Sequence, residues 1–418
     1  MHFTKGVIGL CAAAALGSRA NAGSAEFIAL PDLGGGAFAC TAQAVSDDGR
    51  TVVGQGTDAG SARAVRWFDG EVEPLGSLPG YTSTSLARAV SADGSVIVGI
   101  AGAFPTTQAF RWQAGSFSGL GHLSGFELAS NASGISSDGQ TIVGWSYNTT
   151  AFLGCRWVNG VLSALPDIPG GLEDSAANDT NSNGSIIAGR GRSVGFEYEA
   201  CRWNSNLFAI PMGDLAGGRQ YSEVEAMNNA GNVFVGYAND ASVTGGNFGI
   251  AARWLGNGPC ESLGDLDGGA RNSYAFGVSD DGASVVGYGT TDLGVEAFLW
   301  RQGLGMSRLR TVLESEFGLD LTGWRLTVAS DITPDGRIIV GTGVNPNGQS
   351  QAWMVRISPV GCPGDFNSDG TINTSDLTYL LVRFGSAAAP GEPSDLNGDG
   401  QINTSDLVSF LVRFGQLC

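Results

Sequence analysis

Oxygen-bearing side chains recur at a fixed spacing in two stretches near the end of the chain. In the first stretch, Gly370 allows a sharp turn and the Thr371 backbone carbonyl is the oxygen at position 7 of a loop. Side-chain oxygens at positions 1, 3, 5, 9 and 12 come from Asp365, Asn367, Asp369, Asn373 and Asp376. Carboxylate and amide oxygens in this order suit a hard cation, so the pattern predicts a calcium loop.

The loop is repeated thirty residues further along the chain, where Gln401 gives the backbone carbonyl at position 7. The second set of predicted ligands is Asp395, Asn397, Asp399, Gln401, Asn403 and Asp406. Each loop runs into a predicted helix with one apolar face, formed by Leu377, Leu380, Leu381 and Phe384 in one copy and by Leu407, Phe410, Leu411 and Phe414 in the other. Because two matching loops are more specific than one, we expect two calcium ions.

The charge balance suits a cation-binding protein and argues against binding to nucleic acids or anionic lipids. The 418 residues include 22 Lys and Arg against 40 Asp and Glu, a formal net charge of −18. This acidity repels the phosphates of nucleic acids and anionic lipid surfaces. Glycine is abundant, at 66 residues, but follows no three-residue period, and only 15% of the residues are charged. The composition therefore favours a turn-rich, all-β body over a collagen-like or disordered chain.

The first 22 residues are predicted to be a signal peptide. Lys5 precedes an apolar stretch at residues 6–17, and the sequence Ala-Asn-Ala at residues 20–22 matches a cleavage site. No later apolar run is long enough to span a bilayer. We therefore expect a secreted or extracellular protein, with cell-surface attachment as an option, in a compartment where its six remaining cysteines can be oxidised.

A motif of the form Gly-x-x-apolar-apolar-Gly, with an aspartate before its first glycine in five copies, recurs seven times between the signal peptide and the calcium loops. Its last glycines, spaced 45 to 54 residues apart, are Gly54, Gly99, Gly144, Gly189, Gly236, Gly287 and Gly341. A tryptophan follows each copy, at Trp67, Trp112, Trp157, Trp203, Trp254, Trp300 and Trp353. The Asp-Gly pairs are expected to form turns, and the tryptophans to fill the core between repeats.

Each copy predicts four short strands, which is the size of a β-propeller blade. The seventh copy lacks a fourth strand, whereas an unmatched strand at residues 27–33 precedes the first copy. Pairing these two would close the ring and remove both open edges. We predict a seven-bladed β-propeller at residues 23–359, closed by its N-terminal strand, with a helical insertion around residues 310–317. A small α-helical calcium module follows at residues 360–418.

Ligand binding is expected where the copies differ, since positions common to all copies serve the fold. One variable column, five residues before the turn aspartate, is Gln43, Arg88, Ser133, Asn178, Glu225, Phe276 and Ser330; it is expected near the axis. Another, after the motif glycine, is Gln55, Ile100, Trp145, Arg190, Tyr237, Tyr288 and Thr342. The second column is expected to open polar loops, with Trp145, Tyr237 and Tyr288 as an aromatic platform for a glycan or peptide. The predicted ligand face combines Trp145, Arg190, Tyr237, Tyr288, Arg88 and Glu225; ordinary loop variation is the alternative.

Patterns for catalysis are scarce in the repeats. His122 is the one histidine beyond the signal peptide and is expected to be structural, and the chain has no Gly-x-Ser-x-Gly elbow or Walker loop. Paired carboxylates drawn from Glu225, Asp179 and Asp331 are a candidate for glycan hydrolysis.

Four cysteines lie within the repeats. Cys155 and Cys201 occupy the apolar position that Phe110 fills in another copy, so buried thiols are expected there rather than a disulfide. The pairing of Cys40 and Cys260 is left open.

The repeats resemble an extracellular repeat family with a His-Ala-Phe motif before its tryptophan. Residues 108–112 read Gln-Ala-Phe-Arg-Trp and residues 296–300 read Glu-Ala-Phe-Leu-Trp, both without the histidine. Residues 321–343 are also similar to the end of such exported bacterial proteins. The resemblance bears on the fold and implies no particular reaction.

Residues 362–418, with their duplicated loop and helix, resemble the type I dockerin domain. The resemblance implies two bound calcium ions and docking onto a cohesin on a scaffoldin or cell surface. The implied contact residues are Thr374, Ser375, Thr404 and Ser405, with Arg383 and Arg413 at the place of the family's Lys-Arg pair. Cys362 and Cys418 bracket the module, so a disulfide between its ends is expected.

Three functions follow from this organisation. The first is an exported, non-catalytic binding propeller that is attached to a protein partner or surface through its calcium module. The second is a glycan-active enzyme, since dockerins usually accompany polysaccharide-degrading chains. The third is a structural envelope protein in which the calcium loops only stabilise the end of the chain.

Overall fold

The computed structural model describes residues 24–194, 197–241, 249–358, 363–366, 372–388 and 392–415. The predicted signal peptide, the cysteines Cys362 and Cys418, and the first-loop ligands Asn367, Asp369 and Thr371 lie outside these residues. Ala25–Ile357 form one compact unit, called the β body below, and Ser358–Cys418 belong to a second, called the C-terminal module.

The first strands of the β body are β1 (Ser24–Ala29), β2 (Thr41–Val45), β3 (Thr51–Asp58), β4 (Ser61–Phe68) and β5 (Glu71–Pro74). Strands β2 to β5 form a four-stranded antiparallel sheet in chain order. Next come β6 (Ser85–Val90), β7 (Val96–Ala103), β8 (Thr106–Gln113), β9 (Ser116–Gly121), β10 (Ala129–Ile135), β11 (Thr141–Tyr147), β12 (Phe152–Val158) and β13 (Val161–Ala164). These form an eight-stranded sheet, in which two antiparallel halves meet through one parallel pair, Thr107 with Ala129.

Two further four-stranded sheets follow. Their strands are β14 (Leu172–Thr180), β15 (Ile187–Arg192), β16 (Tyr198–Trp203), β17 (Ala209–Pro211), β18 (Gly217–Met227), β19 (Val233–Asp240), β20 (Ile250–Leu255) and β21 (Cys260–Gly264). The next sheet contains β22 (Ser273–Val278), β23 (Ser284–Thr291), β24 (Gly294–Arg301) and β25 (Gly305–Arg308), and helix α1 (Leu309–Phe317) follows it. The helical insertion expected around residues 310–317 is thus confirmed.

The last sheet joins the two ends of the β body. It contains β26 (Arg325–Ile332), β27 (Ile338–Val344) and β28 (Ser350–Ser358), and β1 is its fourth strand, beside β28. Leu30 N–H also donates to the Ala352 carbonyl at 3.0 Å. The predicted pairing of the N-terminal strand with the incomplete last copy is therefore confirmed, and it covers an edge that would otherwise be open.

The tryptophan column lies in the core between successive sheets, as predicted. All seven tryptophans are buried, with exposed fractions from 0 to 8%. Several indoles also donate to a carbonyl of the preceding repeat: Trp157 to Leu120 at 2.8 Å and Trp203 to Pro166 at 2.7 Å. Burying a large aromatic ring with its N–H paired is favourable, so these indole bonds hold a repeat to the one before it.

The motif glycine is explained by a bulge that all seven repeats share. In each first strand the pairing with the second strand skips one residue, which is the residue of the first variable column. At Gly144 an added Cβ would lie 1.9 Å from the Asn131 carbonyl oxygen, and at Gly236 it would lie 2.0 Å from that of Glu223. Only glycine leaves room for the backbone to approach so closely beside the bulge.

The Asp-Gly pairs form the turns that were expected of them. Asp93 Oδ1 accepts from the Ser91 hydroxyl at 2.7 Å and from Ser95 N–H at 3.0 Å. Gly94 follows with a φ of 72°, a left-handed conformation that glycine adopts at low cost. The turn therefore follows directly from local sequence.

The C-terminal module contains two helices, α2 (Thr374–Arg383) and α3 (Thr404–Leu411). Each begins with a capping box, Asn373 with Asp376 and Asn403 with Asp406. Its core consists of Ile372, Leu380, Ile402 and Phe410, with further apolar residues around it. Gly385 N–H donates to the Ile402 carbonyl and Gly415 N–H to the Ile372 carbonyl, both at 2.7 Å. The two sequence copies therefore make equivalent contacts with each other.

Among the described residues, no helix has the length and apolar character needed to cross a membrane.

Candidate functional site

Three carboxylates of the second loop converge as a calcium site requires. The side-chain oxygens of Asp395, Asp399 and Asp406 lie within 4.8 Å of one another. Gly400 has a φ of 80°, which permits the predicted sharp turn. Convergent carboxylate oxygens are the donors that Ca²⁺ prefers, so the residues present fit this ion.

Asp406 is fixed by the backbone of its own loop. Its side chain is fully buried, and it accepts from the N–H groups of Leu396 at 2.8 Å, Asn397 at 3.2 Å and Asn403 at 2.8 Å. Asp376, the equivalent residue of the first loop, is also fully buried and accepts from Phe366 N–H at 2.7 Å. Position 12 of each loop is therefore held in place by the fold.

The other described second-loop ligands lie around the three carboxylates. Asn397 donates to Asp399 at 2.9 Å, and Asn403 uses its Oδ1 to cap α3. Hydrogen bonds, with that of Asn397 first, lower the pKa of Asp399, which keeps it ionised. Gln401 is exposed, and its carbonyl accepts from Asn403 at 3.4 Å. In the first loop, Asp365 is half-buried and Asn373 caps α2.

The predicted partner-binding residues lie at both ends of each helix. Thr374, Ser375, Thr404 and Ser405 are exposed on the first turns of α2 and α3. Arg383 turns back over the Tyr379 ring, 3.6 Å from its centroid, and Arg413 donates to the Ser409 carbonyl at 2.5 Å.

Only part of the predicted apolar face of each helix is buried. Leu380 and Phe410 are fully buried, but six apolar side chains remain 42 to 76% exposed: Leu381, Val382, Phe384, Leu411, Val412 and Phe414. These two sets of three, called the apolar patches, occupy the same positions of the repeat. In so small a module each helix buries only one apolar side chain completely, which leaves the neighbouring apolar residues available for a partner.

In the β body, the residues of the first variable column line one central space, as expected from their predicted position near the axis. We call Gln43, Arg88, Ser133, Asn178, Glu225, Phe276 and Ser330 the central ring. All seven side chains are half-buried and line two adjoining cavities of about 200 and 360 Å³. Because each is the extra residue of a β-bulge, its side chain is directed away from the regular pleat.

The smaller cavity extends toward the Asp-Gly turns, which backbone hydrogen bonds join to one another. Asp47 N–H donates to the Ala92 carbonyl, and the same bond recurs from Ala92 to Ser137 and from Ser137 to Ser182, at 3.0 to 3.1 Å. Asn229 reaches both Asp47 and Asp280 at 3.4 Å. The turns of successive repeats are thereby bound to one another at this end.

Glu223 is a functional candidate that the sequence did not reveal. Its carboxylate accepts from Asn178 Nδ2 at 2.8 Å, from Arg190 Nη1 at 2.8 Å and from the Tyr237 hydroxyl at 2.7 Å. Glu223 is 6% exposed, and it lies two residues before Glu225 on the same strand. Its three partners belong to the two variable columns, so variation among the copies could have pointed to this cluster. Glu223 itself belongs to neither column.

The charged groups of the ring influence one another. Burial, followed by the charge of Glu223, raises the pKa of Glu225 well above its usual value. Burial and the Glu223 charge also raise the pKa of Tyr237, which therefore stays protonated and donates to Glu223. Burial lowers the pKa of Arg88, and the nearby Glu225 partly offsets this effect. The Arg88 guanidinium nevertheless remains charged at neutral pH.

The predicted aromatic platform is divided and partly buried. Trp145 packs edge-on against Phe152, with ring centroids 5.0 Å apart. Tyr237 and Tyr288 belong to another cluster, both contacting Tyr274, and Tyr237 is only 7% exposed. The second column does not open loops as expected, because the strands continue past the motif glycine; β19, for example, extends to Asp240.

The candidate carboxylates Asp179 and Asp331 connect neighbouring sheets. Asp179 Oδ2 accepts from Met227 N–H at 2.8 Å, and Asp331 Oδ2 accepts from Val45 N–H at 2.9 Å. Burial raises the pKa of each to about 7. Both aspartates therefore have a structural role in holding successive first strands together.

These two pKa shifts predict a pH-dependent stability. Since the folded-state pKa of about 7 exceeds the ordinary 3.8, the folded state binds these protons more tightly, and stability falls as pH rises from about 4 to 7. At constant calcium, we expect the β body to lose on the order of 5 kcal/mol between pH 5 and 8 through these two groups. The melting temperature of the Asp179→Asn/Asp331→Asn variant should depend less on pH.

An exposed aspartate provides the control for this measurement. Hydrogen bonds, first that of the Ser95 backbone, lower the pKa of Asp93, so it is ionised in both states throughout the interval. Asp93→Asn should therefore keep the wild-type pH slope. A double variant with an undiminished slope would contradict the assignment.

The remaining sequence predictions concern Cys155, Cys201 and His122. Among the described residues no cysteine pair forms, and Cys155 and Cys201 are fully buried thiols, as expected; burial raises the pKa of both. His122 Nε2 lies 2.9 Å from the Thr107 carbonyl oxygen, a contact within the fold.

A comparison with known protein families matches the C-terminal module. Residues 363–410 match the family described as the dockerin type I domain. No curated protein matches the sequence.

Among solved structures, the chain is similar to TolB from Acinetobacter baumannii, with 11% identity and a TM-score of 0.40. The match covers 78% of this chain and 65% of TolB, which is just under two thirds of the length of TolB. It is also similar to the β-propeller domain of the Trilobed protease from Pyrococcus furiosus, with 11% identity and a TM-score of 0.41 over 78% and 85% of the two chains. A third is an oligogalacturonate lyase from Vibrio parahaemolyticus, with 8% identity and a TM-score of 0.46 over 80% and 97%. With identities of 8 to 11% and TM-scores below 0.5, these likenesses support no inference about the function of this chain.

Proposed function

We propose that this protein is exported, attaches to a cohesin-type partner through two calcium-loaded loops of its dockerin module, and presents a seven-bladed propeller whose central ring binds a ligand. The observation that carries the proposal is the dockerin match at residues 363–410 together with the convergence of Asp395, Asp399 and Asp406 within 4.8 Å. Dockerin-bearing proteins are typically extracellular or attached to a cell surface.

The apolar patches support docking over a purely stabilising role. A module that served only as a cap would gain nothing from six exposed apolar side chains, whereas a protein interface buries such residues at its centre. Thr374, Ser375, Thr404 and Ser405 are exposed as well and offer polar groups on the first turn of each helix.

The blade number and the absence of catalysis are further parts of the proposal. Seven motif glycines, seven bulges and seven buried tryptophans indicate one blade per copy, with the eight-stranded sheet counting as two blades. We favour binding over glycan hydrolysis because Asp179 and Asp331 each accept a backbone hydrogen bond from the next repeat.

The docking proposal is tested by capture with and without the module. The full chain and a chain ending at Val360 are immobilised in calcium and exposed to purified type I cohesins and to extracellular and envelope extract, and captured proteins are identified by mass spectrometry. We expect capture of a cohesin-type protein by the full chain only, with release by EDTA.

Substitutions in the patches distinguish a specific interface from calcium-dependent adhesion. Leu381→Asp/Leu411→Asp should reduce capture at least tenfold, since it places a charge in each patch. Val161→Asp, at a 70% exposed apolar position of the β body, should not reduce it. Capture that persists without residues 361–418 would contradict the proposal.

A further inference from the structure

The central ring contains one basic and one acidic side chain that have no direct partners. Among the described residues, Arg88 and Glu225 make neither a hydrogen bond nor an ion pair within 4 Å, and Arg88 Nε is buried without an acceptor. The larger cavity, of about 360 Å³, has these two as its charged lining residues. A buried donor without an acceptor is costly, so its retention points to a ligand that supplies one.

The other carboxylates near the cavities are already engaged. Asp179 and Asp331 accept backbone N–H groups, and Asn229 lies against both Asp47 and Asp280. Glu223 accepts from three donors. Arg88 is therefore the cation of the larger cavity that remains available to an anion.

The rest of the larger cavity is neutral and rich in hydrogen-bonding groups. Gln43 and Ser330 make no side-chain hydrogen bonds to other described residues, and Asn178 is oriented by donating to Glu223 and to the Val224 carbonyl, which leaves its own carbonyl oxygen available. Phe276 adds a half-buried ring that packs against Tyr288, with centroids 5.6 Å apart. Amides and hydroxyls beside one aromatic face suit a polyhydroxy ring better than an apolar peptide side chain.

We propose that the central ring binds a sugar that carries a carboxylate, such as a hexuronic acid, with its carboxylate on Arg88, its hydroxyls on Gln43, Asn178 and Glu225, and one ring face against Phe276. Arg88 can hold a carboxylate through two parallel hydrogen bonds, which also fixes its orientation. The cavity has room for a monosaccharide unit, free or at the end of a chain. The proposal rests on the proposed function insofar as it names the ligand of the same site.

The test is titration calorimetry of the full chain with galacturonic acid, glucuronic acid and a short oligogalacturonide, and with galactose and glutamate for comparison. We expect binding of the uronic acids in preference to galactose by at least tenfold. The monomer and the oligomer distinguish a site for a free sugar acid from one for a chain end. Preferred binding of glutamate, or no binding of any uronic acid, would overturn the proposal.

Variants identify the anchoring residue. Arg88→Gln should weaken uronic-acid binding at least tenfold while leaving the melting temperature nearly unchanged, since Arg88 has no direct partner to lose. Arg63→Gln, which removes an exposed arginine that donates to the Thr82 carbonyl, should bind normally. Arg88→Gln with wild-type affinity would overturn the assignment. EDTA and truncation at Val360 affect the calcium module and therefore docking, whereas the uronic-acid site lies in the β body. A failure of uronic-acid binding can therefore be distinguished from a failure of docking.

Discussion

Replacement of Asp406 by alanine is expected to abolish calcium binding at the second loop and to unfold that half of the module. The buried carboxylate accepts three backbone N–H groups and is one of three converging ligands, so its loss removes both the ion and the loop geometry. Hydrogen bonds to a charged group contribute roughly 1.5–3 kcal/mol each, so affinity should fall by about a hundredfold or more. Calorimetric titration with calcium should show one fewer site than in the wild type.

The matched control is a carboxylate of the same module outside both loops. Glu392 accepts from the Ser394 hydroxyl at 2.7 Å and lies 3.6 Å from Arg383. Glu392→Gln should leave the number of calcium ions and their affinities unchanged. An Asp406→Ala protein with full calcium stoichiometry would contradict the assignment of the second loop.

Replacement of Glu223 by alanine should lower the free energy of unfolding of the β body more than the removal of an exposed ion pair does. The substitution leaves Arg190, with a side chain 22% exposed, without its carboxylate and leaves the Tyr237 hydroxyl without its acceptor. Breaking a buried pair by removing one partner costs about 3–5 kcal/mol. Chemical unfolding of the full chain measures the change, and uronic-acid titration should show weaker binding because Asn178 loses its orientation.

Two further variants separate burial from charge in this result. Glu197→Ala removes the partner of Arg219, whose side chain is 56% exposed, and should cost less than about 1 kcal/mol. The double variant Glu223→Leu/Arg190→Met should recover part of the stability, because no charge is then left buried and unpaired. Equal costs for Glu223→Ala and Glu197→Ala would show that the network is not a buried one.

Features set by local chemistry were predictable from the sequence. The Asp-Gly turns, the converging carboxylates of the second loop and the insertion at α1 each depend on residues close together in the chain. The repeat then placed strands and tryptophans correctly, and it identified β1 as the partner of the incomplete last copy. The central ring was found because it varies among copies that otherwise agree.

What only the tertiary structure decided concerns contacts between different repeats. Glu223 joins side chains from β14, β15 and β19, and Trp145 packs apart from Tyr237 and Tyr288 because their sheets differ. Likewise, periodicity marks Leu381 and Leu411 as apolar but not as exposed, since exposure depends on how much core the rest of the module provides. The sequence by itself determined the repeat, the turns and the spacing of the second-loop carboxylates, because these depend on short-range spacing. The tertiary structure decided which side chains share the cavity, because a bulge redirects one residue per repeat toward an axis that no single repeat contains.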